Sequence, residues 1–227
     1  MVSMSLNKTG LGARIGYYFI SLFGKKTIGI AYSLAIAETI LAPVTPSNTA
    51  RGGGIIHPIM RSIADSFNSK PEEGTSGKIG RYLSLVNYNI NPITSAMFIT
   101  ATAPNPLIVS LIIGETGPEN ELTWSMWAIA AFVPAIVSLF LMPIVIYFLY
   151  KPEITHTPNA PHFAKERLAQ LGPISLPEKI TLGVFALLLI MWAGIPALLF
   201  GDAFSINATT AAFIGLSILL CTGVLNW

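Results

Sequence analysis

The positions of the missing charges constrain this chain more than any other feature. No Asp, Glu, Lys or Arg occurs in residues 82–114, 122–150, 180–201 or 203–227. Each window reaches or exceeds the ~20 residues, at ~1.5 Å rise, that a helix needs to cross a ~30 Å hydrocarbon core. Charged residues make up 11% of the 227 and hydrophobic ones 52%, whereas an ordinary soluble chain is about a quarter charged. This excludes a standard cytosolic enzyme and predicts an all-α, multi-pass integral membrane protein. The formal charge of +2 carries little weight, because the side on which basic residues lie decides topology. Nucleic acid is not an expected partner.

The charged and breaking residues divide the chain into segments. Residues 1–26 contain a short apolar stretch, 11–23, interrupted by Arg14 and ending at Lys25 and Lys26; it reads as a partial or interfacial helix. Residues 27–65 hold two apolar arms around the polar run Pro46-Ser47-Asn48-Thr49, with Pro43, Pro46 and the triplet Gly52-Gly53-Gly54 expected to break any single helix. Basic residues flank this pair on both sides, Lys25 and Lys26 before it and Arg61, Lys70, Lys78 and Arg81 after it. Both ends are therefore expected on the cytoplasmic face. The arms are short or interrupted, so a re-entrant hairpin is expected rather than two full spans. Irregular backbone at that depth is tolerated only against protein or a water-filled cavity, so the tip should line a site.

Residues 66–81 form a polar loop, and 82–114 a discontinuous span broken by Pro104-Asn105-Pro106. Residues 122–150 are a full span with Trp124 and Trp127 at one end and Tyr147 and Tyr150 at the other. Residues 151–179 make a cytoplasmic arm in which Phe163, Leu168 and Leu171 are spaced like one face of a surface helix. Two further spans follow, 180–201 and 205–227, with Asp202 between them on the outer side. No tandem repeat of fixed period is present.

The chemistry concentrates at the tip. Ser, Asn and Thr offer neutral oxygens to a dehydrated monovalent cation, and their N–H and O–H groups can donate to a carboxylate. A helix starting just after the tip adds its positive dipole end. Residues 100–105 repeat that chemistry on a second interrupted helix, and paired discontinuous segments mark secondary-transporter sites. In a soluble protein the same residues would be an ordinary polar turn. Glu38, within an apolar arm, is a candidate proton-coupling carboxylate or a hydrogen-bonding partner for a neighbouring helix. Arg51 either attracts an anion or ties down the hairpin by bonding carbonyls. His57 reads as a packed residue, and His156 and His162 lack metal-ligand spacing. Cys221, the single cysteine, excludes an intrachain disulfide. No nucleophile elbow, HExxH or phosphate-binding loop occurs, so no enzyme and no cofactor is expected.

The run from Ala42 to Ile56, with Ser47-Asn48-Thr49-Ala50-Arg51-Gly52-Gly53-Gly54 at its centre, resembles the divalent anion:sodium symporter (DASS) family, in particular its 2-oxoglutarate/malate translocators and citrate/succinate antiporters. Residues 101–106 are similar to that family's unwound loop, and residues 167–178 to its cytoplasmic arm helix. The resemblance implies an inverted-repeat elevator transporter of which this chain is about half, likewise a homodimer in the plasma or inner membrane when full length. It implies di- or tricarboxylate substrates, moved by symport with sodium or by exchange. Substrate contacts would be Ser47, Asn48, Thr49, Thr102 and Asn105, and a sodium site would use Ser47, Asn48 and Ala101. The alternative from another class is a membrane scaffold or accessory fragment that uses the polar tip only for packing.

Overall fold

A computed structural model describes residues 2–201, 204 and 206–225. Among these the secondary structure is helical, apart from one isolated bridge between Lys26 and His156. The helices are α1 (Val2–Thr9), α2 (Leu11–Phe23), α3 (Thr27–Leu41), α4 (Asn48–Arg51), α5 (His57–Ser66), α6 (Gly80–Met97), α7 (Pro104–Thr116), α8 (Trp124–Leu149), α9 (Ala160–Gln170), α10 (Leu176–Trp192), α11 (Ile195–Phe200) and α12 (Ala208–Cys221). The expected outer position of Asp202, the start of the last expected span at Ser205 and the final Asn226 and Trp227 lie outside the described residues.

Glycine and proline set the breaks. Gly10, at φ 82°, separates α1 from α2 in the left-handed region that only glycine enters cheaply. Gly194, at φ 74°, followed by Pro196, divides the expected span 180–201 into α10 and the short α11. Among the described residues two helices are long and apolar enough to cross a bilayer, Thr27–Val44 and Trp124–Leu149. α8 contains Pro134 and Pro143 yet runs on for 26 residues. Its Ile129, Val133, Phe140 and Phe148 are largely exposed.

The second arm of residues 27–65 differs from its sequence expectation. The three glycines do not interrupt the second arm. Residues 52–56 form a π-helical turn that joins α4 to α5, so the arm is helical from Asn48 to Ser66. The physical reason is Pro58, which has no N–H to give and crowds the carbonyl four residues back. The widened turn, in which the His57 N–H bonds the Gly52 carbonyl, takes up that misfit. The actual break lies earlier. A 3₁₀ turn over Ala42–Val44 leads into extended Thr45 and Ser47, and Ser47 then caps α4 by accepting from the Ala50 N–H at 3.2 Å.

Packing explains why α2 lies along this arm. Gly12 and Gly16, one helical turn apart, face Ile55 and Ile59, and a methyl on either glycine would approach those side chains to 2.8 and 2.6 Å. This is small-residue helix packing of the kind used where two backbones must come close. α9 lies against α2 through Ala160 and Ala164, both fully buried, with Phe163 and Leu168 packed alongside. Leu171, expected on the same face, is 38% exposed, so the arm helix rests on protein through its alanines. Arg14 fastens this end. Its guanidinium bonds both oxygens of Glu178 at 2.6 and 3.2 Å and the Gly172 carbonyl at 3.0 Å. Glu178 simultaneously completes the capping box with Ser175 that starts α10.

The core is built mainly from α3, α5 and α6, with Ile30, Ile56, Ile63, Leu83 and Ile90 essentially inaccessible. Gly29 sits against the backbone carbonyl of Phe23 so closely that a Cβ cannot be placed without moving the backbone, whereas nothing lies near a Cβ on Gly53. Gly29→Ala is therefore expected to destabilise by about 1–3 kcal/mol. Gly53→Ala is expected to be neutral or stabilising by up to about 1 kcal/mol. Thermal unfolding in detergent distinguishes them, and equal melting temperatures for the two variants would contradict this account.

Candidate functional site

The site forms where two helices stop. The first break is the Thr45–Ser47 stretch between α3 and α4. The second is the stretch from Phe98 to Ala103 between α6 and α7, where Phe98 and Thr102 are extended around a single 3₁₀ turn. Asn105 stabilises this second break: its side-chain amide donates to the carbonyls of Ser95 at 2.8 Å and Phe98 at 2.9 Å. Carbonyls released by a broken helix need such partners when water is remote.

Arg51 joins the two breaks. It is completely buried, and one of its amino groups donates to the Thr45 carbonyl at 3.1 Å and the Ala101 carbonyl at 3.2 Å. The other donates to Ser95 Oγ at 2.8 Å and Thr94 Oγ1 at 3.2 Å. Its Nε lies 3.5 Å from Oε1 of Glu38, also fully buried, an ion-pair contact without hydrogen-bond alignment. Glu38 Oε1 in turn accepts from Asn91 Nδ2 at 2.6 Å and Thr94 Oγ1 at 3.3 Å, while Oε2 has no partner. Of the roles the sequence left open for Arg51, the carbonyl-bonding one is realised. Glu38 likewise bonds a neighbouring helix.

Asn91 carries this network to the tip. The same Nδ2 donates to the Asn48 carbonyl at 3.0 Å, fixing the first residue of α4. That approach requires Gly52, because a Cβ there would fall 2.6 Å from Asn91 Nδ2. The middle glycine run thus serves close packing as well as the π turn.

The expected site residues separate into groups. Asn48 and Thr49 line a cavity of about 450 Å³ between the second hairpin arm and α6, together with Asn87, Asn91 and His57. Ser47 spends its oxygen on the cap, and Asn48 Oδ1 accepts from the Thr49 N–H at 2.8 Å. Thr102 lies elsewhere, with Pro46 and Thr100 on an apolar cavity of about 460 Å³ that Trp192 and Phe213 also line. Asn105 is buried and lines neither cavity. The Ala101 carbonyl, expected among sodium ligands, accepts from Arg51. Sequence reasoning passed over Asn87, Asn91, Thr94 and Ser95. The available signal was the density of amides and hydroxyls inside an uncharged membrane-length window, where each polar group needs a reason.

Removing one partner of a buried ion pair leaves the other uncompensated and costs about 3–5 kcal/mol. Arg51→Met is expected to lower stability by that order. Adding Glu38→Gln to it should recover part of the loss, with a coupling energy of about 1–3 kcal/mol. Melting of the four members of this double-mutant cycle in detergent checks it, and strictly additive effects would exclude the coupling.

Comparison with known proteins identifies the family. The sodium:sulfate symporter transmembrane region matches residues 1–227. The putative malate transporter YflS of Bacillus subtilis (strain 168) is 50% identical over 226 residues, covering 100% of this chain and 46% of the relative. Dicarboxylate transporter 1, chloroplastic, of Spinacia oleracea is 42% identical over 220 residues, 97% of this chain and 37% of that protein. Inner membrane protein YbhI of Escherichia coli (strain K12) is 38% identical over 226 residues, 100% of this chain and 45% of that protein. The chain thus spans less than half the length of these relatives. A match over the whole of its residues nevertheless bears out the kinship read from the Ser47–Gly54 run: the chain belongs to the family of the sodium:sulfate symporter transmembrane region, the DASS transporters.

Proposed function

We propose that the protein works as a secondary transporter of small di- and tricarboxylates, such as malate, 2-oxoglutarate, succinate or citrate, and not as an enzyme. The observation that carries this reading is the polar tip, whose Asn48 and Thr49 line a cavity while a buried arginine beside them ties two interrupted helices together. Broken helices are stable inside a membrane only with such internal partners, and their exposed polar groups are the means of binding a solute there. Relatives named as malate and dicarboxylate transporters support the substrate class.

In this reading α3 and the Asn48–Ser66 arm form a re-entrant hairpin, and the chain contributes one half of an inverted-repeat elevator fold that assembles as a homodimer in the cytoplasmic membrane. Residues 27–65, 82–114, 122–150, 180–201 and 205–227 are its membrane-embedded segments, and 66–81 and 151–179 its cytoplasmic ones. Asn48 and Thr49 donate to a substrate carboxylate, with Ser47, Thr102 and Asn105 shaping the region around the two breaks. A coupling sodium ion, in a symport mode, would take oxygens of Ser47, Asn48 and Ala101. The Ala101 carbonyl would then have to exchange Arg51 for the ion, a rearrangement that exchange of one carboxylate for another does not require.

Uptake of labelled malate into liposomes carrying the full-length protein tests the reading. Asn48→Ala is expected to reduce uptake by an order of magnitude or more, and malate at about a hundred times its Kd should stabilise the wild-type protein by about 2.7 kcal/mol. Uptake that is unaltered by Asn48→Ala, with no malate-dependent rise in melting temperature, would sink the proposal.

A further inference from the structure

The backbone of the tip is held from two directions. The Asn48 carbonyl accepts from the Gly52 N–H in its own helical turn and from Asn91 Nδ2 on α6 at 3.0 Å. A carbonyl has two lone pairs, so both are used and the Asn48 peptide is fixed against α6. The Asn48 side chain then follows its own backbone, because Oδ1 accepts from the Thr49 N–H at 2.8 Å. The direction in which this amide meets the cavity is thereby set by the peptide that Asn91 holds.

Asn91 is itself anchored, since the same Nδ2 donates to Glu38 Oε1 at 2.6 Å. Glu38 keeps Thr94 and Arg51 as further partners, so the bond from Asn91 is not its sole compensation. Gly52 supplies the clearance for this arrangement. Its backbone, at φ −66° and ψ −48°, is ordinary right-handed helix that any residue adopts, so glycine is not needed there for its conformation. A Cβ, however, would meet Asn91 three times, with Nδ2 at 2.6 Å, Cγ at 3.0 Å and Cβ at 3.6 Å. An alanine at this position would leave the arm helical and push the Asn91 amide off the Asn48 carbonyl. All of these contacts are internal to α3, the hairpin arm and α6.

We propose that Asn91 is a positioning residue for substrate binding: it orients the Asn48 peptide, and through it the Asn48 amide that donates to the substrate carboxylate, with Gly52 as the space this contact needs. The inference rests on the transport reading above and deepens it by a residue outside the recognised motif and by a purpose for the first glycine of the triplet.

Uptake of labelled malate by the full-length protein in liposomes tests it, with Asn91→Ala, Gly52→Ala, the double variant and Asn89→Ala compared. Asn89 is a control on the same helix, where its amide donates to the Leu85 carbonyl. A donor moved out of line with a charged acceptor loses about tenfold in affinity. Asn91→Ala and Gly52→Ala are each expected to raise the KM for malate about tenfold while Vmax stays within about twofold, and Asn89→Ala to leave both unchanged. The two substitutions break one contact, so the double variant should have a KM no higher than either single variant. A merely structural tie would lower the melting temperature of Asn91→Ala and leave its KM unchanged; that result overturns the proposal and leaves the transport reading standing. KM effects that multiply in the double variant also overturn it. If the wild type takes up no malate, both readings are overturned. Should Asn91→Ala not accumulate as folded protein, Gly52→Ala decides alone, and a KM within about twofold of the wild type overturns the proposal.

Discussion

The buried contact between Glu38 and Arg51 is the interaction on which the remainder of this architecture depends. Two interrupted helices leave carbonyls at Thr45, Ser95, Phe98 and Ala101 without their helical donors, in a region where water is scarce. Arg51 supplies donors to two of them and to the hydroxyls of Thr94 and Ser95, and Asn105 supplies the others. A guanidinium suits this task because its planar fork serves several acceptors at once and stays charged. It can be buried only because Glu38 balances its charge. The helices can therefore stop in the interior without an unbalanced charge.

That same contact ties local structure to the chemistry of the tip. Glu38 orients Asn91, and Asn91 reaches across Gly52 to the carbonyl of Asn48. The first residue of the polar arm is thus held by a side chain of α6, and the two walls of the cavity are fixed relative to each other by one amide. Precise placement of donors lowers the ordering cost of binding, so in the transport reading proposed above the fixed walls favour a small anion. The π turn contributes in the same direction. It keeps the arm helical beyond the tip despite Pro58, and so presents Asn48, Thr49 and His57 along one continuous cavity wall.

At the other end of the hairpin, electrostatics fasten elements distant in sequence. Arg14 connects α2 to the start of α10 through Glu178 and to the end of the arm helix through the Gly172 carbonyl. Arg167, stacked at 5.0 Å over Phe163, reaches Ser62 on α5. The amphipathic arm helix is consequently held against α2 and α5, with Arg14, Glu178 and Arg167 acting as joints between elements.

The sequence by itself determined the membrane setting and the helical material, and it marked the polar tip. Charge-free windows of membrane length leave little alternative to apolar helices, and Ser47-Asn48-Thr49 between two such arms marks a polar tip, because both are properties of composition along the chain. Element detail was less legible. Pro104 and Pro106 pointed to the break before α7, but the glycine triplet suggested a break that Pro58 and the π turn remove. Gly194 divided a span that hydropathy alone reads as continuous. Only the tertiary structure decided which polar residues meet. Glu38, Arg51, Asn91 and Ala101 lie up to 63 residues apart, and their pairing depends on how α3, the hairpin arm and α6 pack, which no local propensity encodes. Thr102 and Asn105 share a motif with Ala101, yet one lines a separate apolar cavity and the other bonds the carbonyls of Ser95 at the end of α6 and of Phe98 in the break. Adjacent side chains leave an unwound backbone in different directions, so the motif identifies the segment while packing selects the atoms that face the cavity.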